Sequence, residues 1–420
     1  MPTHESALPE NRWDYPIITI AQFFLAFALN FMFVFLPFYV QAISPYDEAA
    51  TLRWTGLIVG AAAAMATFGS TFWGNLTDRY SPKTMFERGV LSHAILVGLM
   101  GFVTDVRLLL AIRMLQGFLG GISTIGLIII SVISTEKQIT RRLGVYQSAL
   151  TLGQIFAPPI GAMAAAAFGY RGAFVASSLM LFAVFAFCQF GLSPLPPRPR
   201  ESASDPIPRR QVWLAWIVSL VGTVHIMFLP SILPILLRGF EVPEAQRLVT
   251  AGTIVFAYGL SAAAGSYGFS WLAGRFPPHR LVLFAALGAA LCQVLLIAGA
   301  DAVTFTVIRM TQTGFAAGIF PLVLVQVASR REGKAIGLIN TARFAGNALG
   351  PVAATFILAH SDLLTLYLIL GIGLALAATG NYLGTPIRNT NVEVQADTSW
   401  QGSVSGQLAR EREIRDGAGR

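Results

Sequence analysis

Charged residues are scarce in this sequence: 12% of its 420 residues are Asp, Glu, Lys or Arg, while 55% are apolar. Because a soluble domain carries roughly 25% charged residues, this composition excludes an ordinary soluble protein and predicts an all-α integral membrane protein. The two cysteines, Cys188 and Cys292, lie in different predicted helices and fit no metal-ligand spacing, so no metal site is predicted. No phosphate-binding loop or nucleophile–base pair is apparent, so neither an enzyme nor a cofactor is predicted.

The apolar residues that are present form twelve stretches long enough to cross a bilayer, which takes roughly 20 residues. These predicted spans are 15–42, 54–73, 84–103, 108–133, 143–167, 173–192, 212–237, 249–272, 281–300, 303–327, 335–359 and 363–383. They form an N-terminal six-helix half (15–192) and a C-terminal half (212–383), joined by a proline- and arginine-rich linker (193–211). Residues 1–14 form a polar N-terminus, and the polar tail 384–420 is predicted to be disordered.

Short patterns recur in the two halves at nearly constant separation. Arg113 and Arg309 open similar R-M-x-Q patterns 196 residues apart, and glycine–proline segments at Pro158 and Pro351 are 193 residues apart. Phe35-Leu36-Pro37 also recurs 193 residues later as Phe228-Leu229-Pro230. The recurrence indicates a duplicated unit, and therefore two membrane-embedded halves that meet at an interface.

Basic residues favour one side of the predicted spans. With the N-terminus inside, the inner loops hold fifteen: Arg79, Lys83, Arg88, Lys137, Arg141, Arg142, Arg198, Arg200, Arg209, Arg210, Arg275, Arg280, Arg330, Arg331 and Lys334. The outer loops hold five: Arg53, Arg107, Arg171, Arg238 and Arg247. This excess predicts that both termini are cytoplasmic. Topology then accounts for the net charge of +8, and no nucleic-acid partner is expected.

The loop after the second span reads Gly74-Asn75-Leu76-Thr77-Asp78-Arg79-Tyr80-Ser81-Pro82-Lys83. It resembles the G-x-L-x-D-R-x-G-x-[KR] signature of the major facilitator superfamily, with Ser81 in place of the second glycine. In that family the loop is a cytoplasmic latch between the halves. The resemblance therefore implies a gating role for Gly74, Asp78, Arg79 and Lys83. The alternative is that these charges only anchor a short loop and follow the bias of basic residues toward the inside.

Two further patterns carry the same resemblance. Arg113, Gln116 and Gly117 resemble the R-x-x-Q-G pattern of the fourth helix. Gly153, Pro158 and Gly161 resemble the antiporter pattern G-x-x-x-G-P-x-x-G of the fifth helix, with Ala157 replacing a glycine. Together these motifs imply the major facilitator fold, with twelve transmembrane helices in two pseudo-symmetric six-helix halves that rock about a central substrate site.

Small residues beside a proline let a bent helix approach its neighbour closely. We expect Gly153, Pro158 and Gly161, and in the second half Gly346, Gly350 and Pro351, to bend their helices at the seam between the halves. The resemblance links the fifth-helix version with antiport and efflux. Ordinary helix packing is the alternative explanation.

Three arginines, Arg113, Arg309 and Arg343, fall well inside predicted spans, where each costs about 2.5–3.5 kcal/mol. All 21 acidic residues fall at termini, loops or helix ends, so these arginines have no carboxylate partner within the spans. We predict a basic substrate cavity that binds an anion, formed by Arg113, Gln116, His225, Arg309, Gln312 and Arg343. The alternative is that the arginines bind Gln116, Gln312 and backbone carbonyls between helices.

These observations favour a secondary transporter that exports an organic anion or amphipathic small molecule by alternating access, with protons as a candidate coupling ion. The alternatives are uptake or uniport of an anionic metabolite or an iron or metal chelate, as in magnetosome-type iron supply, and a membrane scaffold or sensor that does not transport. The expected partners are the lipid bilayer and one small-molecule substrate, with a monomer as the transport unit. The expected location is a bacterial-type inner membrane or a membrane derived from it.

Overall fold

The computed structural model describes residues 12–76, 79–195, 209–328 and 333–384, and within these ranges the chain is helical, without strands. The helices are α1 (Asp14–Phe31), α2 (Leu36–Ile43), α3 (Glu48–Leu76), α4 (Pro82–Met100), α5 (Val106–Phe118), α6 (Ile122–Val132), α7 (Glu136–Gly191), α8 (Arg209–Met227), α9 (Leu233–Gly239), α10 (Glu244–Leu272), α11 (Pro278–Leu295), α12 (Ala302–Ala328), α13 (Gly333–His360) and α14 (Leu363–Gly384). The described residues up to 382 form one compact unit. Most of the linker and nearly all of the tail lie outside the described residues.

The all-helical membrane fold predicted from the sequence is confirmed. In the described residues, nine helical segments are long and apolar enough to cross a membrane, against twelve predicted spans. One of them, 141–191, would be about 75 Å long as a straight helix, far more than the roughly 30 Å of a bilayer core. It turns at Gly169, whose φ is 71°, and therefore contains two predicted spans. Two other predicted spans are not among the nine segments. The span at α4 carries charged residues in its first turns, and the span at α5 and α6 is divided by a break.

The first span of each half is broken at the repeated Phe-Leu-Pro pattern. Residues 32–35 separate α1 from α2, and residues 228–232 separate α8 from α9. Proline has no backbone N–H to donate to a helical carbonyl, so a helix tends to break or bend there. Pro37 and Pro230 therefore give the two halves a matching interruption, which the sequence did not predict.

The fourth span is broken as well, but only in the first half. Gly121, with φ of 84°, separates α5 from α6, whereas α12 continues without a break. The break frees carbonyl groups that need other donors. Trp73 Nε1 donates to the carbonyl of Phe118 (2.8 Å), and Arg88 Nη2 donates to that of Leu119 (3.2 Å). The Arg88 guanidinium also stacks 3.4 Å from the centre of the Trp73 ring, so these two side chains hold the break in place.

We call the end of the bundle where α1 begins and α14 ends the terminal end, and the opposite end the distal end. Four helices that start at the distal end are capped at their N-termini by an aspartate that accepts hydrogen bonds from backbone N–H groups. These aspartates are Asp47, Asp105, Asp301 and Asp362. Hydrogen bonds from Thr304 and Val303 hold the pKa of Asp301 below its ordinary value. These aspartates occupy helix caps and are therefore unavailable to the arginines inside the spans.

Each half has its own apolar core. One cluster of buried residues lies wholly within residues 17–195 and another within 212–378. A third cluster belongs mainly to the second half but includes Val34, Phe38, Leu52 and Ala162 of the first. This third cluster is the shared core, and it joins the halves toward the distal end.

The seam between the halves is tightest where glycines meet backbone. A Cβ added to Gly60 would lie 2.4 Å from the carbonyl oxygen of Ala348, and one added to Gly56 would lie 1.9 Å from Thr355 Oγ1. An ion pair between Glu48 and Arg238 (2.5 Å) adds a contact at the distal end. These contacts, and a ring contact between Phe156 and Phe256, lie between the distal end and about the helix midpoints.

Gly60→Ala should loosen this seam, because the new methyl group has no room against Ala348 and overpacking costs about 1–3 kcal/mol. In a background lacking Cys188 and Cys292, we expect maleimide to label the shared-core variant Leu52→Cys at least about fivefold faster. Gly373→Ala is the matched control, since nothing lies within 4 Å of its added Cβ. Equal labelling rates in the two variants would contradict the close approach.

Candidate functional site

Arg113 binds the neighbouring helix rather than an acidic residue. Its Nε donates to the carbonyl of Ile58 (3.1 Å) and its Nη2 to that of Val59 (3.2 Å), both on α3. Its Nη1 donates to Gln116 Oε1 (2.6 Å). Gly117 permits this approach, because a Cβ there would lie 2.1 Å from a backbone oxygen of α3. Arg113 and Gln116 together fasten α5 to α3.

Arg309 is sealed inside the second half with no exposed surface. Its Nη1 donates to the carbonyl of His225 (2.8 Å) and to Gln312 Oε1 (2.5 Å), and its Nη2 donates to the carbonyl of Ile226 (2.8 Å). The Ile226 carbonyl would normally receive the N–H of residue 230, but Pro230 has none. Arg309 therefore caps the carboxyl end of α8 at the break in the seventh span.

Four of the six residues predicted to line the cavity are buried. They are Gln116, His225, Arg309 and Gln312. His225 Nδ1 lies 2.8 Å from the carbonyl of Val221 on its own helix. These contacts correspond to the alternative of bonds to glutamines and carbonyls between helices. A role for the four residues in a substrate cavity remains a prediction.

Arg343 differs from the other two arginines. It is exposed although it lies near the middle of α13, and its guanidinium stands 4.7 Å from the centre of the Phe320 ring on α12. Within the described residues it has no hydrogen bond and no ion pair. Its five N–H donors are therefore available to a ligand.

The neighbours of α13 show which way Arg343 faces. Ala348 lies at the seam with α3, while Gly346 and Gly350 pack closely against α8. At 3.6 residues per turn, Arg343 lies about 120° around the helix from exposed Leu349, at the border of the face that carries Gly350, with its guanidinium toward α12. An apolar exposed flank suits lipid, so Arg343 lies on the flank turned into the bundle.

Arg343 also lies close to the seam between the halves. It is five residues, or about 7.5 Å of helix, toward the terminal end from Ala348. Ala348 is itself a seam contact, against Gly60 of α3. The arginine therefore stands within two helical turns of the interface between the halves.

The glycines of the two glycine–proline segments lie elsewhere than predicted. Gly153 and Gly161 face α1, where a Cβ on Gly161 would lie 1.9 Å from the carbonyl oxygen of Phe31, and Gly346 and Gly350 face α8. They bind helices of one half to each other and do not form the seam. Other residues of these segments do reach it: Gly252 of α10 lies against Pro158, Pro159 and Ala162, and Gly56 and Gly60 of α3 lie against Pro351 and Ala348. One flank of each helix therefore makes the close backbone contacts within its own half, and another flank lies at the seam.

The predicted gating loop is described only in part. Asp78 lies outside the described residues, Gly74 belongs to α3, and Arg79 is exposed. Lys83 Nζ donates to the carbonyls of Gln189 (3.0 Å) and Leu192 (2.5 Å), so it caps the end of α7 in its own half. The latch between halves therefore remains a prediction.

The distal ion pair was missed by the sequence reasoning. Glu48 and Arg238 come from different halves, and neither belongs to a repeated motif. From the sequence alone, Glu48 and Arg238 are charges at a loop or a helix end, without an indicated partner. Their pairing depends on how the halves are placed, which no local pattern encodes.

Comparison with known proteins agrees with the fold. A family model described as Major Facilitator Superfamily matches residues 18–351 and 247–401. The chain is similar to the uncharacterized MFS-type transporter YuxJ of Bacillus subtilis, with 26% identity over 359 residues, or 81% of this chain and 90% of that protein. It is also similar to the multidrug resistance protein MdtG of Proteus mirabilis, with 24% identity over 365 residues, or 83% and 90% of the two chains.

A shorter similarity extends to the staphyloferrin B transporter of Staphylococcus aureus, with 27% identity over 180 residues, or 43% of this chain and 42% of that protein. Among solved structures, an inward-facing, occupied bacterial homolog of the human lysosomal transporter Spinster superposes with a TM-score of 0.71. It is 14% identical and the match covers 90% of this chain and 97% of that one. At this identity the likeness concerns the fold.

Arg309→Met should destabilise the protein by about 3–5 kcal/mol, because it removes the donor to the buried carbonyls of His225 and Ile226 at the break. Arg343→Met is the matched control and should change stability by less than about 0.5 kcal/mol, because that side chain is exposed. The measurement is equilibrium unfolding of the two purified variants in detergent. Equal stability of both would show that Arg309 does not cap the break.

Proposed function

Because this chain belongs to the major facilitator superfamily, we propose that it is a secondary active transporter that exports an organic anion or amphipathic small molecule by alternating access. The observation that carries the proposal is Arg343. It is a mid-helix cation, exposed, turned into the bundle and free of any carboxylate in the described residues. Such a charge is costly within a membrane, and a bound anion would offset that cost.

Alternating access requires two bodies that keep their own packing while the contact between them changes. The separate cores of the halves supply such bodies. The distal seam, with its shared core and the Glu48–Arg238 pair, is the contact that must open. The described contacts therefore fit a state closed at the distal end.

Export is the direction we propose, for two reasons. The excess of basic residues at the terminal end supports a cytoplasmic location for that end, from which Arg343 would receive its anion. MdtG, which is similar over most of its length, is named a multidrug resistance protein. A bacterial-type inner membrane with both termini inside follows from the same arguments.

A second candidate cargo is a siderophore or another metal chelate. The similarity to a staphyloferrin B transporter favours it, although the match covers less than half of either chain. In this case too Arg343 would supply the positive charge. Uptake or uniport of the same class of anion would use the same residue in the opposite direction.

Arg343→Met should lower anion flux at least about tenfold, because a hydrogen bond to a charged group contributes about 1.5–3 kcal/mol. Untargeted metabolite comparison of cells with and without the gene selects candidate anions. Their flux is then measured in proteoliposomes with and without a pH gradient, beside the cation tetraphenylphosphonium. A flux that rises with the gradient would identify protons as the coupling ion.

The matched control is Arg171→Met, which removes another exposed arginine, one at the distal end beside Gly169. It should transport like the wild type. Unchanged anion flux in Arg343→Met, or a wild-type preference for tetraphenylphosphonium, would contradict the anion site. No gene-dependent metabolite and no flux would instead favour a scaffold or sensor.

A further inference from the structure

Amide side chains recur around Arg343 and its counterpart in the first half. Asn340 and Asn347 stand three residues before and four after Arg343 on α13. At the 193-residue repeat separation, Gln147 and Gln154 occupy the equivalent positions on α7. Leu150 takes the place of the arginine. Both helices therefore carry an amide pair in the same register, and only α13 has an arginine between the two amides.

On α13 the amides share the flank of Arg343. At 3.6 residues per turn, Asn340, Arg343 and Asn347 lie within about 60° of one another around the helix. The opposite flank carries exposed Leu349 and Phe356. The polar flank is therefore the one turned into the bundle.

On α7 the division is the same. Gln147 and Gln154 lie on one flank, while exposed Leu152 and Met163 lie on the other. Gly153 between them faces α1. Because an amide facing hydrocarbon would leave its polar groups without partners, the amide flank is the one turned into the bundle.

These four amides are also free, unlike the buried ones. Gln147, Gln154 and Asn340 are exposed and Asn347 is half-buried. Across the ranges that the structure describes, none of these four side chains makes a hydrogen bond. By contrast, buried Gln116 accepts a bond from its neighbouring arginine. Each free amide offers two donors and an acceptor to a ligand.

We propose that Gln147, Gln154, Asn340 and Asn347 form a hydrogen-bonding site around Arg343 that selects anions bearing several hydroxyl or carbonyl groups. Arg343 binds the carboxylate, and the amides bind the uncharged polar groups. A ligand without such groups would leave the amides without partners once the cavity closes, and it would therefore bind more weakly. This inference rests on the proposed function and specifies its substrate class as a polyhydroxylated or polycarbonyl organic anion.

A matched pair of ligands tests this selectivity. Benzoate and 3,4,5-trihydroxybenzoate share a ring and a carboxylate and differ in three hydroxyl groups. We measure their dissociation constants by isothermal titration calorimetry on the purified full-length protein. The wild type should bind the trihydroxy compound at least about tenfold more tightly, which corresponds to two or more net hydrogen bonds.

Variants then separate the contribution of the amides to ligand binding from that of the Arg343 charge. The double variants Asn340→Leu/Asn347→Leu and Gln147→Leu/Gln154→Leu should each reduce the ratio of the two constants at least about threefold and leave benzoate binding unchanged. Arg343→Met should weaken both ligands and keep their ratio. Gln246→Leu, which removes an exposed amide near the distal start of α10, should behave like the wild type.

A wild-type ratio near one, or a ratio unchanged in both double variants, would overturn the amide site and leave the anion site at Arg343 intact. Arg343→Met binding like the wild type would overturn the proposed function itself, as would a wild type that binds neither ligand. Where a leucine double variant fails to fold, Asn347→Ala and Gln154→Ala carry the same comparison, since each removes one amide with a smaller change.

Discussion

The lack of carboxylates near the middle of the described spans is the constraint on which the rest of the structure depends. A buried guanidinium must still satisfy its donors, and here backbone carbonyls take the place of acids. Arg113 uses two carbonyls of α3, and Arg309 uses those that the proline break leaves free on α8. Arg113 and Arg309 thereby each hold two helices together. Among the described residues Arg343 has no such acceptor, so its charge is left for a ligand.

Contacts with the backbone also determine how the helices pack. Helices in a membrane gain little from burying apolar side chains, so they associate by close backbone approach at small residues. Glycines of α7 and α13 pack against the first helix of their own half, which makes each half a firm body. Other glycines, such as Gly60, meet the opposite half. Two firm bodies that share an interface are what a rocking motion requires.

The fold was predictable because its signals are local or repeated: apolar length, the 193-residue repeat and three motifs. The locations of the arginines were predictable, but their partners were not. Whether a carbonyl is free depends on where a neighbouring helix breaks, and the bonding of Arg309 follows from Pro230 on another span. Gly121 and the Glu48–Arg238 pair were missed for a similar reason, since each depends on tertiary placement. The repeated amides were visible in the sequence at the repeat separation, but only the flank assignment separates them from ordinary polar residues.

The duplication of the two halves explains why an arginine at this position in one half only, Arg343, suits the binding of an anion. Two equal halves would present the same groups from both sides, and a symmetric pair of arginines would repel each other unless a dianion lay between them. Replacing one of the pair by Leu150 removes that repulsion and keeps hydrogen-bonding amides on both sides. An anion can then hold its carboxylate on α13 and its neutral polar groups on either helix. Hydrogen bonds reach both bodies while the charge stays with one, so a bound ligand can remain attached to α13 as the halves move apart.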